Sequence, residues 1–183
     1  MTKVRQLGPI CLLAAAILSQ QPALADPMLP EGTSTMEALS ALTSKASQLA
    51  VKAVDMLGIH YKFGGVSPEN GLDCSGLVRY VFKEAWGKDL PRTSAEISHV
   101  GQKVEPKDLQ PGDLVFYNTL KRGFSHVGIY LGDNKFIHSP APGGDVRIES
   151  MDVGYWKRRF NGARRIDAPE ETSQDPAAPS GTQ

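Results

Sequence analysis

The stretch Leu72-Asp73-Cys74-Ser75-Gly76-Leu77-Val78 decides how this chain of 183 residues is read. Asp73 is a helix-capping residue type, because its short side-chain oxygens can accept the unpaired N–H groups of a first turn. Behind it, Leu77, Val78, Val81, Phe82 and Ala85 recur at three- and four-residue intervals. That is the apolar stripe of an amphipathic helix, and Gly87 is a natural stop for it. Cys74 therefore falls on the first turn, ahead of the stripe. Unpaired N–H groups and the positive end of the helix dipole favour thiolate there, which predicts a lowered pKa and a reactive sulfur. Ser75 and Gly76 are small and let a substrate backbone approach. A cysteine kept only for packing would be expected on the stripe itself.

On the N-terminal side, Ile59 to Leu72 carries Gly64-Gly65, Pro68 and Gly71 and reads as a loop. Before it, Leu39, Leu42, Ala46, Leu49, Ala53 and Leu57 keep helical spacing from the capping-box pattern Ser34-x-x-Glu37 to Gly58. Residues 26–33, with Pro27, Pro30 and Gly32, read as a linker. Lys3 and Arg5, the apolar run Ile10 to Leu18 and the small-residue pattern Ala23-Leu24-Ala25 have the order of a secretory signal peptide over residues 1–25. The run is far short of the ~20 residues that span a bilayer, so no transmembrane anchor is expected. Gly8-Pro9-Ile10 ahead of Cys11 is not the setting of a lipidated cysteine. Cleavage after Ala25 would release a soluble protein into the periplasm or the medium, with eighteen basic and twenty acidic residues, a net charge of −2.

That charge gives no reason to expect a nucleic-acid partner. Forty per cent hydrophobic and 22% charged residues are ordinary for one globular core that needs neither disulfide nor metal. Cleavage would also remove Cys11 and leave Cys74 as the single cysteine. An unpaired thiol in an oxidising compartment invites oxidation, and nucleophilic catalysis is one reason to keep it.

On the C-terminal side, the pattern after the Pro91-Arg92-Thr93-Ser94 turn becomes strand-like. Strands are expected over 113–117, 126–131, 135–139, 146–148 and about 160–166. Residues 167–183, rich in Pro, Ser, Ala, Glu and Gln, read as a disordered tail. One domain over residues 34–166 remains.

A thiol nucleophile wants an imidazole within reach, and His60, His99, His126 and His138 are on offer. His60 and His99 carry no pattern. In the strand from His126, the side chains of 126, 128 and 130 point one way while Val127, Ile129 and Leu131 point into a core. A three-residue loop Gly132-Asp133-Asn134 would pair Leu131 with Lys135. Gly128 then faces His138, and the two histidines share a face; a two-residue turn alone would separate them. The expected relay has His126 facing Cys74 and His138 orienting His126, with Gly128 making room for the approaching helix.

These blocks resemble the NlpC family of bacterial cell-wall cysteine peptidases, in the papain-like superfamily. The resemblance runs from about Gln48 to Arg165. It is carried by Tyr61-Lys62-Phe63-Gly64-Gly65, the Asp73-Cys74-Ser75-Gly76 block, Leu90-Pro91-Arg92-Thr93-Ser94 and Pro111-Gly112-Asp113-Leu114-Val115-Phe116. Ser125-His126-Val127-Gly128, Phe136-Ile137-His138 and Gly162-Ala163-Arg164-Arg165 complete it. It implies an α+β fold with a papain-like core, the cysteine-bearing helix packed on an antiparallel β-sheet. It implies a catalytic triad of Cys74, His126 and His138, with no metal and no cofactor. Asp73 and Ser75 would help hold the amino-terminal part of the substrate, and Tyr61 would supply an oxyanion-hole hydroxyl. Arg92 reads first as a brace of its turn. Ile97 departs from the family, whose members often carry glutamine there. The implied partner is a peptidoglycan stem peptide, and the implied reaction is hydrolysis of its γ-D-glutamyl–diaminopimelate bond. Two rivals stay open: a same-fold amidase or acyltransferase on another substrate, and a wall-binding module without catalysis.

Overall fold

A computed structural model describes residues 35–169. The expected signal peptide, the linker and the tail from residue 170 onward lie outside the described residues. Helix α1 spans Thr35–Val54 and α2 spans Cys74–Trp86; α3 (Ser94–Ile97) and α4 (Gly154–Lys157) are single turns. A two-stranded hairpin joins β1 (Val66–Ser67) to β2 (Gly71–Leu72). The main sheet has six strands, β3 (Gln102–Val104), β4 (Leu114–Tyr117), β5 (His126–Gly132), β6 (Lys135–His138), β7 (Arg147–Ser150) and β8 (Phe160–Arg165). Their order is β3-β8-β4-β5-β6-β7, antiparallel throughout.

Alternation along the strands builds two different faces. Leu114, Phe116, Val127, Ile129 and Ile137 point to the helical side and meet Leu49 and Ala53 of α1 and Leu77, Val78, Val81 and Phe82 of α2. Val115, Tyr117, Tyr130, Phe136 and Ala163 point the other way and are covered by Trp156 of α4. The α2 stripe is the expected one. Each fully buried aliphatic or aromatic side chain in it contributes ~1.5–3 kcal/mol. Gly87 closes the helix with φ 63°, and its N–H reaches Lys83 O. No helix among the described residues is long and apolar enough to cross a membrane.

Three expectations are corrected. The segment 59–72 is not all loop. The β1–β2 hairpin orders it and brings Gly65 so close to the α2 start that a Cβ on Gly76 would lie 2.0 Å from Gly65 O. After Pro91 the chain turns helical before it turns to strand. The Thr93 hydroxyl accepts Glu96 N–H while Glu96 accepts Thr93 N–H, a capping box that fixes α3. The β5–β6 connection is a two-residue turn, because Asp133 (φ 50°) and Asn134 (φ 54°) both adopt the left-handed conformation of a tight hairpin. Gly132 pairs with Lys135, which by itself would put the histidines on opposite faces. A bulge between Tyr130 and Gly132 leaves Leu131 unpaired and restores the register, so Tyr130 faces Phe136 and Ile129 faces Ile137. The face-sharing survives by a different device.

An ion pair locks the far end of the sheet. Arg165 Nε and Nη2 each donate at 2.8 Å to the two oxygens of buried Asp113, one of which also accepts Gln110 N–H at 2.7 Å. Residues 167–169 lie beside the core, where Lys88 Nζ donates to Asp167 O and Lys45 Nζ to Pro169 O.

Candidate active site

Asp73 builds the mouth of α2. Its Oδ1 accepts Gly76 N–H at 2.7 Å as the helix cap and the Ser75 hydroxyl at 3.1 Å. Its Oδ2 accepts Gly64 N–H at 3.0 Å, which ties the Gly64-Gly65 turn to the helix. Arg92 closes the cluster: Nη2 donates to Asp73 Oδ2 at 2.5 Å and Nη1 to Ser75 Oγ at 2.8 Å. Burial alone would raise the Asp73 carboxyl, but the Arg92 hydrogen bonds, the Gly76 N–H and the Arg92 charge outweigh it and hold it below its ordinary value. The expectation that Arg92 braces its own turn is corrected: its guanidinium reaches across to the Asp73 and Ser75 side chains and braces the helix cap.

Cys74 sits at the first turn of α2, partly exposed, with the backbone N–H groups of Val127, Ser75 and Cys74 itself directed at the thiol. The expectation of a depressed pKa is corrected. Burial of the sulfur and the neighbouring Asp73 carboxylate outweigh those N–H groups, and the thiol is pushed up to about 11. Val127 follows His126 in the chain, so the thiol lies at the beginning of β5. Tyr61 stands in the same mouth; burial first, then the proximity of Cys74 and Asp73, raises its hydroxyl pKa.

His126 and His138 meet on the aromatic face. His126 Nε2 and His138 Nδ1 are 2.8 Å apart, with the rings nearly perpendicular at 89°. Trp156 stacks on His126 at 5.5 Å between centroids and meets the His138 ring edge-on at 5.0 Å. Both imidazoles are buried, and burial pushes both pKa values well below the ordinary imidazole range. In the free protein, Cys74 and the histidine pair are therefore neutral together.

Gly128 is not the clearance for the helix that the sequence suggested. A Cβ there would lie 2.7 Å from Phe136 Cδ2 and 3.2 Å from His138 Cβ, so its smallness admits the β6 side chains on the aromatic face. The loop before His126 is pinned by Ser125, whose hydroxyl accepts Thr119 and Leu120 N–H, and by Ser94, whose hydroxyl donates to Phe124 O at 2.7 Å. His60 and His99 are exposed.

Sequence reasoning missed Tyr117, Glu149 and Trp156 around the histidines. Trp156 lies on a single turn with no stripe to announce it. Glu149 was open to strand parity, but the expected strand ended at Ile148 while β7 runs to Ser150.

A helix with a cysteine at its mouth, laid on an antiparallel sheet that carries a histidine pair, is the layout of a papain-like α+β domain. The NlpC/P60 family model matches residues 58–165, and the chain belongs to that family. It is 41% identical over 138 residues to murein DD-endopeptidase MepH of Escherichia coli K12, covering 73% of this chain and 51% of MepH. It is 44% identical over 117 residues to the gamma-DL-glutamyl hydrolase of Bacillus subtilis 168, covering 63% of this chain and 28% of that enzyme. The chain thus spans about half of the length of MepH and just over a quarter of the glutamyl hydrolase. A crystal structure of an NlpC/P60 family protein from Bacillus cereus ATCC 10987 superposes with a TM-score of 0.62 at 34% identity, covering 66% of this chain and 40% of that one.

Proposed function

We propose that this chain is an exported cysteine peptidase that hydrolyses amide bonds in peptidoglycan stem peptides. Cys74 is the nucleophile, His126 the general base, and His138 the group that orients His126. The observation that carries this reading is the 2.8 Å contact between His126 Nε2 and His138 Nδ1, in an NlpC/P60 domain that also carries a helix-mouth cysteine.

Because the resting thiol and imidazole are both neutral, attack and proton transfer go together. His126 Nδ1 takes the thiol proton as sulfur bonds to the substrate carbonyl. N–H groups at the α2 start and the Tyr61 hydroxyl stabilise the oxyanion. The His126 imidazolium, steadied through Nε2 by His138, protonates the leaving amine as the C–N bond breaks. Water, deprotonated by His126, then hydrolyses the thioester and restores the thiol. Asp73 and Ser75, fixed by Arg92, form the polar wall that holds the amino-terminal part of the substrate.

The γ-D-glutamyl–diaminopimelate bond is the proposed target, in keeping with the gamma-DL-glutamyl hydrolase relative. A second reading, cleavage of a D,D bond, is favoured by the longer alignment with a murein DD-endopeptidase. Digestion of purified muropeptides with the wild-type protein, read by product masses, separates the two. Muropeptides left intact under conditions where the protein is folded would sink the peptidase reading.

A further inference from the structure

One more group continues the line from Cys74 through His126 and His138. The His138 side chain is fully buried, and its Nδ1 is engaged by His126. Its other nitrogen, Nε2, makes no hydrogen bond among the described residues, and Glu149 Oε2 lies 3.8 Å away. Strand register produces this proximity. Phe136 pairs with Glu149 and His138 with Arg147, so Glu149 is the diagonal neighbour of His138 on the same face. The carboxylate is held from two sides, by Arg147 Nε donating to Oε1 at 2.5 Å and by Trp156 Nε1 donating to Oε2.

A neutral imidazole has two tautomers, and the relay works with one of them. Protonated His126 can donate its Nε2–H to His138 only if His138 Nδ1 is bare, which requires the His138 proton on Nε2. A carboxylate in front of Nε2 selects that form.

We propose that Glu149 is the positioning residue that keeps His138 in its Nε2–H tautomer, and so makes His138 Nδ1 a permanent acceptor for His126. The inference rests on the peptidase reading above. When the Cys74 Sγ–H bond breaks and the His126 Nδ1–H bond forms, no proton leaves His138. The Glu149 carboxylate favours the charged form of His126 and so stabilises the imidazolium beyond. The groups around His138 are His126 from β5 and Arg147 and Glu149 from β7, with Trp156 and Phe136 as apolar cover and Tyr117 from β4 against the His126 ring. Arg147 opposes protonation of His138, and its Nε–H is directed at the Glu149 oxygen other than the one that faces His138. Glu149 is the carboxylate among these groups.

Two readouts test this on the full chain. Nitrogen chemical shifts of ¹⁵N-histidine-labelled wild-type protein near pH 7 should show His138 protonated at Nε2 and bare at Nδ1. An Nδ1–H form would overturn the inference without any variant. Glu149→Gln keeps an acceptor for Trp156 and removes the charge. It should mix the His138 tautomers and lower kcat roughly tenfold or more with KM nearly unchanged. The acid limb of kcat/KM should move to lower pH, because loss of the negative charge lowers the His126 pKa. A fall in kcat with tautomer and acid limb unmoved would leave Glu149 a packing residue and overturn the proposal. Full hydrolysis by Cys74→Ser would instead overturn the peptidase reading and leave the tautomer result standing.

Discussion

The two faces of the sheet are built for different ends. On the helical face, Leu114, Phe116, Val127, Ile129 and Ile137 meet the stripes of α1 and α2, and the fully buried part of the cluster is wholly apolar, with Cys74 and Tyr80 only at its rim. On the other face, His126, His138 and Tyr117 are buried among Phe136 and Trp156, and Glu149 approaches from the edge. Aliphatic packing is cheap to specify and tolerates exchange of like for like. A buried imidazole pair gives up hydration and returns little unless every partner is placed. The helical face holds the molecule together, and the aromatic face holds two histidines in one geometry at some cost in stability. The two faces meet at the α2 mouth and the β5 start, where the Val127 N–H is directed at the Cys74 thiol.

The largest effect should come from that junction. Cys74→Ser should lower hydrolysis by a thousandfold or more and move the melting temperature by only a few degrees, since a partly exposed thiol at a helix mouth fills little of the core. Hydrolysis assays with thermal melts check both. Substantial residual activity would remove Cys74 from the chemistry, and a collapse of the melt would return it to packing. Iodoacetamide sharpens the point: with the thiol pushed up to about 11, alkylation of the free protein at pH 6 should be slow and should quicken toward alkaline pH.

A paired substitution then separates the faces. Phe82→Ala and Trp156→Ala each remove a buried aromatic ring and should each cost about 3–5 kcal/mol of stability. At a temperature where both variants remain folded, Phe82→Ala should keep most of the wild-type kcat. Trp156→Ala should lose most of it, because the ring that stacks on His126 and donates to Glu149 is gone. Equal kcat losses would break the division of labour between the faces.

The same contrast explains what the sequence disclosed. α2 was legible because its cap, stripe and stop are all local: Asp73, Leu77 to Ala85, and Gly87. The shared face of His126 and His138 was legible as parity, yet its mechanism was not. The bulge at Leu131 leaves no mark in the residues that flank it, and a wrong three-residue loop gave the right face. The α3 capping box stood in plain sight as Thr93-x-x-Glu96 and was overridden by a strand-like pattern. Tyr117, Glu149 and Trp156 come from three separate elements, and only the folded sheet brings them to the histidines. The raised Cys74 pKa was hidden for the same reason, since burial of the sulfur and its neighbour Asp73 are tertiary facts that a helix-end rule does not contain.

The smallest effect is one of pH, and its sign follows from the aromatic face alone. Burial pushes His126 and His138 down to about 3 in the folded protein, against an ordinary value of about 6.5 in an unfolded chain. Between those values the unfolded chain binds protons that the folded chain does not, so stability rises with pH across that window. The contribution is fully present above about 6.5 and is lost progressively as pH falls toward 3. From pH 7 to pH 5 the loss should be up to about 2 kcal/mol per histidine, before the carboxylates begin to titrate. Denaturant melts at the two pH values measure it. His138→Gln should remove roughly half of the difference. Phe82→Ala, on the face whose packing involves no titrating side chain in that range, should lower stability by the same amount at both. A wild-type stability flat between pH 7 and pH 5 would mean that the histidines take up protons inside the fold, and the neutral resting pair would have to be abandoned for a charged one.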